Sequence, residues 1–323
     1  MKYTIVLPAI IAFAISALLC PVVIPFLHKL KFGQFIRDEG PKAHQKKSGT
    51  PTMGGVIFIV SVIITSLFYM KDYPVIIPVA FATLGFGIIG FMDDYIKVVK
   101  KRNLGLTPLQ KMAGQFIITG IFIYYMMNFT DEGTGILIPF TGGFENGLYI
   151  HLPWWLFIIF MFIVFLGTTN GTNFTDGLDG LLSSVTVLVA VFLTVVTIGT
   201  NSGLSPITSA VAGSLLGFLL FNVYPARVFM GDTGSLALGG FVAATASMMN
   251  MQLFILIFGL IYLVEVVSVM IQVAYFKKTG GERFFKMAPI HHHFELCGWP
   301  ETKVVAVFSI VTAVLCLVGF LAL

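Results

Sequence analysis

Residues 167–180 read Gly-Thr-Thr-Asn-Gly-Thr-Asn-Phe-Thr-Asp-Gly-Leu-Asp-Gly and lie between two strongly apolar runs. Lipid cannot satisfy so many polar groups, so this stretch must leave the membrane or line a wet cavity in it. Asn170, Asn173, Asp176 and Asp179 recur every third residue, a spacing that drifts about 60° per step on a continuous helix. Gly171, Gly177 and Gly180 argue against a regular helix here and let the backbone approach a ligand closely. The alternative is a solvated, glycine-rich turn. Two carboxylates and two carboxamides in one stretch favour a site.

Other chemistry-bearing groups lie between apolar runs. Asp93 and Asp94 close the third run. Helical neighbours point about 100° apart, so one carboxylate can face a site while the other faces elsewhere. Close carboxylates also raise one another's proton affinity, which suits a base, whereas acids merely marking a helix C-terminus sit unfavourably there. Asp232 lies in a Gly-Asp-Thr-Gly turn, where it can hold a hard cation or cap a helix. Phe229 beside it can offer a ring face to a base or pack in the core. In the stretch Lys-Ser-Gly-Thr-Pro-Thr-Met-Gly-Gly at residues 47–55, the lysines that precede the Gly-Thr-Pro-Thr turn can grip a phosphate as point charges with help from backbone N–H groups, or serve only to fix topology. His291, His292 and His293 are consecutive, so they do not converge easily on one zinc ion. Glu265 is an acid among apolar neighbours, a functional candidate or a hydrogen-bonded structural one. Together the carboxylates form an oxygen-rich set that suits Mg²⁺ or Mn²⁺, and beside lysines they suggest phosphoryl chemistry on a lipid-borne acceptor.

The elements that must position these groups are membrane helices. The chain has 323 residues, 57% hydrophobic and 11% charged, with a mean hydropathy of +0.94. Runs of about 20 apolar residues mark transmembrane helices. Ten are expected, at 4–27, 52–70, 74–92, 108–128, 153–169, 181–200, 205–223, 234–249, 252–276 and 303–322. The first is too long for a signal-peptide core and is expected to remain as a helix. The reading is an all-α polytopic membrane protein, one domain over 1–323, whose five inner loops form the site. The segments 136–140 and 148–152 read as a short external β-hairpin between the fourth and fifth helices.

Charge sets the orientation. With both termini outside, 17 of the 19 Lys and Arg fall on inner loops, as the positive-inside rule requires. The three cysteines, Cys20, Cys297 and Cys316, show no paired spacing and imply no disulfide framework.

Read in order, five motifs occur: Lys-Ser-Gly-Thr-Pro-Thr-Met-Gly-Gly, Asp93-Asp94, Asn-Xaa-Xaa-Asn-Xaa-Xaa-Asp-Gly-Leu-Asp-Gly, Gly-Asp-Thr-Gly-Ser and Ala-Pro-Ile-His-His-His-Phe-Glu. Together they resemble the phospho-N-acetylmuramoyl-pentapeptide transferases (the MraY family) of the polyprenyl-phosphate N-acetylhexosamine-1-phosphate transferase superfamily. The resemblance covers nearly the whole chain, and the triple histidine points to the muramoyl branch. It implies transfer of phospho-MurNAc-pentapeptide from UDP-MurNAc-pentapeptide to undecaprenyl phosphate, giving lipid I and UMP with Mg²⁺ at the cytoplasmic face of the cell membrane. By similarity Asp232 ligates Mg²⁺, and Asp93 and Asp94 are catalytic. Lys47, Thr52, Asn173, Asp176, Gly177, Leu178, Asp179, Phe229, Gln272, Ala288, His291, His292 and His293 contact the donor, Phe229 by stacking on uracil. A homodimer, a lipid groove near the ninth helix, sensitivity to nucleoside antibiotics and no nucleic-acid partner follow from the same resemblance.

Two other readings remain at this point. A superfamily transferase using N-acetylglucosamine shares the carboxylates. An ion-coupled transporter suits ten helices and Glu265, but the carboxylates gather at one face and no inverted repeat of broken helices is evident.

Overall fold

The computed structural model describes residues 2–29, 49–99, 105–130 and 133–323. Its helices are α1 (Lys2–Lys29), α2 (Gly55–Leu67), α3 (Ile76–Val99), α4 (Pro108–Phe129), α5 (Gly143–Asn146), α6 (Trp154–Thr175), α7 (Leu181–Gly199), α8 (Ser205–Asn222), α9 (Gly231–Ser247), α10 (Ile255–Phe258), α11 (Leu260–Thr279), α12 (Ile290–Leu296) and α13 (Glu301–Leu321). Eight of them (α1, α3, α4, α6, α7, α8, α11 and α13) are long and apolar enough to cross a membrane, and α2 is a shorter apolar helix. The molecule is a polytopic helical membrane protein.

The helix ends follow local chemistry. Thr107 accepts from the Gln110 N–H while the Gln110 side chain accepts from the Thr107 N–H, a capping box with Pro108 at the first helical position of α4. Gly280 ends α11 in the left-handed conformation at φ 72°.

The span expected at 252–276 is broken. A 3₁₀ turn at Gln252–Phe254 and α10 precede Gly259, and the regular helix begins only at Leu260. Two further boundaries differ. α3 continues to Val99, so Asp93 and Asp94 lie inside a helix rather than at its end. α6 runs unbroken through Gly171 to Thr175, against the expected break. Gly171 is there for proximity: a Cβ would lie 2.7 Å from the Tyr262 carbonyl oxygen of α11. Helical packing in lipid rewards such small residues, because backbones then approach closely.

α9 is the centre of the bundle. Every residue from Thr233 to Ser247 is buried, enclosed by α2, α3, α6 and α7. A Cβ at Gly90 of α3 would overlap the Asp232 carbonyl, so glycine sets the α3–α9 distance where the site lies. Large apolar side chains instead cover the outside, among them Ile10, Leu18 and Phe26 of α1, as a lipid-facing surface requires.

Between α4 and α6, strands β1 (Gly135–Leu137) and β2 (Tyr149–His151) pair antiparallel with Ile136 opposite Ile150. This is the expected hairpin. The Leu137 N–H donates to the Asn250 carbonyl just past α9, at 2.8 Å. The hairpin therefore marks one end of the bundle, and the start of α9 lies at the other.

Candidate active site

Asp93, Asp94 and Asp232 each place a carboxylate oxygen within 4.8 Å of the others. α3 supplies the first two and the first turn of α9 supplies the third. Asp94 is fixed by α9: its oxygens accept from the Asp232 N–H at 3.3 Å, the Thr233 N–H at 2.9 Å and the Thr233 hydroxyl at 2.7 Å. Asp93 accepts from the Leu106 N–H at 2.8 Å and meets Lys97 Nζ at 2.5 Å. Both carboxylates are only 3% exposed.

Two lysines converge on Asp232. Lys97 Nζ lies 3.0 Å and Lys111 Nζ 2.9 Å from its Oδ2. Asn173 of α6 donates to the other oxygen at 2.8 Å and to Ser235 Oγ at 2.8 Å. One helix turn deeper, Asn170 donates to Gln115 Oε1 at 3.0 Å. The polar row of α6 thus faces the start of α4. Ammonium groups, carboxylates and a carboxamide held this closely are chemically suited to meeting an anion, and the carboxylates offer oxygens of the kind a hard cation takes.

The first described turn after the long basic segment joins the same site. The Phe229 N–H donates to the Pro51 carbonyl, and Gly54 and Gly55 donate to the carbonyls of Phe229 and Met230, at 2.8–2.9 Å. Thr52 Oγ1 and Asp94 Oδ2 crowd Gly231, each 2.6 Å from where a Cβ would stand. The position has φ +71°, which glycine alone adopts freely. Phe229 is partly exposed, and among the described residues its ring has no aromatic partner.

A family model for Glycosyl transferase family 4 matches residues 76–250, and the phospho-N-acetylmuramoyl-pentapeptide-transferase signature 1 matches residues 47–59. Proteins named phospho-N-acetylmuramoyl-pentapeptide-transferase are similar over nearly the full length. One from Acetivibrio thermocellus is 53% identical, covering 97% of this chain and 94% of its own. One from Clostridium kluyveri is 51% identical over 99% of this chain and 100% of its own. One from Clostridium novyi is 50% identical over 97% and 95%. The chain belongs to the phospho-N-acetylmuramoyl-pentapeptide-transferase family.

The structure arranges the other expected family residues in two groups. Asp176, just past α6, sits near Gly231; burial pushes its carboxyl up to about 8, and the charges of Asp232 and Asp94 add to that. Asp179 is a strut: its Oδ2 accepts from the Ala226 N–H at 2.8 Å, while its own N–H donates to Glu301 Oε1 at 2.6 Å. Leu178 is buried beside it. Gly177 abuts His291, since a Cβ there would overlap Nε2 of the ring.

The second group ties α11 to the loop before α12. Gln272 Oε1 accepts from the Phe285 N–H at 2.9 Å, and His293 Nδ1 accepts from the Lys286 N–H at 3.1 Å. The three histidines diverge: His291 faces Glu265, His292 pairs with Glu295 at 2.7 Å, and His293 lies 3.7 Å from Cys297 Sγ. Ala288 lies partly buried two residues before α12. Lys47 lies outside the described residues.

Sequence reasoning counted Lys97 and Lys111 for topology and missed them as site residues. One signal was present: Lys97 follows Asp93 by four positions, one helix turn. Another was Lys111, an ammonium within an otherwise apolar helix.

Proposed function

We infer that the chain transfers phospho-MurNAc-pentapeptide from UDP-MurNAc-pentapeptide to undecaprenyl phosphate, producing lipid I and UMP in peptidoglycan synthesis. The carrying observation is the convergence of Asp93, Asp94 and Asp232 with Lys97 and Lys111 at one end of the bundle. Family membership supports the donor, and the apolar exterior supports a lipid acceptor.

The donor set suits Mg²⁺. Three carboxylates within 4.8 Å offer hard oxygens in a small space. Asp232 would hold the ion with Asp93 at its side, because the Asp94 oxygens are occupied by α9. Bound there, it would neutralise charge on the donor diphosphate.

The acceptor is a phosphate monoester, largely dianionic at neutral pH because its second pKa is near 6. It needs little general-base help; the harder task is bringing two anions together. Lys97 and Lys111 screen that repulsion and stabilise charge on departing UMP. Asp93 removes any residual proton from the lipid phosphate, whose oxygen attacks the sugar-linked phosphorus as the bond to UMP breaks. The two-step rival makes an aspartyl-phosphate first. Asp94 is committed to α9, and bringing Asp93 in line as a nucleophile would add a third anion to an encounter that already joins two phosphates, so direct attack is favoured. The orientation we infer places this end in the cytoplasm, following the bias of 17 of 19 basic residues.

The test is radiolabelled UDP-MurNAc-pentapeptide with undecaprenyl phosphate in detergent, with and without Mg²⁺. Lipid I and UMP should form together only when all components are present. Competition by UDP-N-acetylglucosamine at equal concentration would redirect the assignment to the sister transferases. A burst of UMP from donor alone, with a phosphosugar adduct on Asp93 or Asp94, would establish the two-step route.

A further inference from the structure

Asp179 is gripped from two sides. Its N–H donates to Glu301 Oε1 at 2.6 Å, and its Oδ2 accepts from the Ala226 N–H at 2.8 Å. Glu301 is the first residue of α13. Ala226 lies three positions before Phe229, so the side-chain bond fastens the loop that carries that ring. At the other end of the same short turn, the Asp176 carboxyl hydrogen-bonds the backbone of Gly231, beside Asp232. Residues 176–180 thus bridge the carboxylate site, the Phe229 loop and the start of α13.

The far support of this bridge is firmly built. Phe294 of α12 stacks on Trp299 with ring centroids 4.9 Å apart, and Lys303 Nζ stands 4.4 Å over the Trp299 ring. The Trp299 N–H donates to the Phe294 carbonyl at 3.1 Å, and Pro300, whose ring fixes its φ, directly precedes Glu301. An acid in the first turn of α13 also suits the positive end of the helix dipole. That accounts for a carboxylate but not for its length, since aspartate would serve as well. Reach to the Asp179 N–H does require the length. One methylene fewer would withdraw the carboxylate by about 1.5 Å, beyond hydrogen-bond range.

We propose that Glu301 is a positioning residue for the nucleotide donor: through the Asp179 N–H, its carboxylate sets where the Gly177–Asp179 turn and the Phe229 loop stand relative to each other. This rests on the transferase reading above, in which both segments meet the donor. Asp179 is 4% exposed. An N–H released there must move to another acceptor or stay unpaired at a cost, and any movement of the residue is passed through Ala226 to Phe229.

Three variants separate the bond from the charge. Glu301→Ala removes both. Glu301→Asp keeps the charge and the helix-dipole contact but falls short of the N–H. Glu301→Gln keeps the reach and an acceptor oxygen while losing the charge. Steady-state kinetics are run with UDP-MurNAc-pentapeptide and undecaprenyl phosphate varied in turn, alongside competitive binding of UMP and thermal midpoints in detergent. The KM for the UDP donor and the dissociation constant of UMP should rise about 10-fold in Glu301→Ala and Glu301→Asp, the lower end of losing a hydrogen bond to a charged group. Glu301→Gln should stay within about threefold, because a neutral acceptor retains part of that bond. The KM for the lipid phosphate and kcat at saturating donor should hardly move in any of them. An order that follows charge, with Glu301→Asp near wild type and Glu301→Gln impaired, overturns the proposal. Equal donor KM values in those two variants also overturn it, even where Glu301→Ala does not fold. So does a loss spread over kcat and both KM values together with a lower midpoint, which would mean that Glu301 only holds the fold. Wild-type turnover is read in the same assay, so failure of the transferase reading would be seen separately.

Discussion

Asp94 of α3 accepts hydrogen bonds from the Thr233 N–H at 2.9 Å and the Thr233 hydroxyl at 2.7 Å, both in the first turn of α9. α9 has no cap from its own flanking residue. Its orphan N–H groups are therefore met from a neighbouring helix, and one acid of the pair holds the architecture while the other faces the lysines.

The two neighbours should consequently fail differently. Asp94→Ala should lower stability by about 1–2 kcal/mol, the range for losing a helix cap, and reduce turnover with it. Asp93→Asn should leave the thermal unfolding midpoint in detergent close to wild type while turnover falls by at least 100-fold. Equal midpoints for both variants would remove the division of labour.

Asp232→Asn should fold and lose Mg²⁺-dependent turnover. A carboxamide keeps the shape and the contact with Asn173, but it lacks the charge that binds a hard cation and draws in Lys97 and Lys111. Magnesium titrations of the purified variant check this. Near-normal activity at unchanged Mg²⁺ would dismiss Asp232 as the ligand.

How far these roles were legible depends on sequence distance. The apolar runs and the hairpin were readable because their periods are local. The Asp93–Asp94 pair was visible, but its helix was read as ending there because the two acids close the apolar run; in the fold α3 continues past them, and Lys97 one turn on is neutralised by Asp93 and Asp232. Gly171 looked like a helix breaker and is a packing contact with Tyr262. Glu265 and His291 lie on different helices, and no local spacing marks them as partners.

Phe229 supplies a third outcome. If its ring stacks on uracil, Phe229→Ala should weaken donor binding by about 1–3 kcal/mol, as base stacking on an aromatic does. Phe229→Trp should cost much less. Competitive binding of UMP measures both. Equal losses, together with lower thermal stability, would indicate that the ring only packs.

Orientation can be read chemically. In a Cys297→Ser background, which removes the exposed native thiol, cysteines at Arg227 and Lys278 should react only with reagent admitted to the cytoplasm. A cysteine at exposed Glu145, beside the hairpin, should react from outside. The reverse pattern would invert the topology and separate the site from its nucleotide.

The backbone bonds from residues 51, 54 and 55 to residues 229 and 230 turn two loops into one narrow ribbon. Phe229 and Asp232 lie on that ribbon three positions apart, which limits their Cα separation to about 10 Å. The ribbon acts as a ruler. A nucleotide diphosphate bound as inferred above would touch both marks at once, base at one and phosphates at the other. A lipid diphosphate carries no base and would reach only the second mark, so on that reading the lipid product would hold to the ribbon by one point where the entering nucleotide would hold by two.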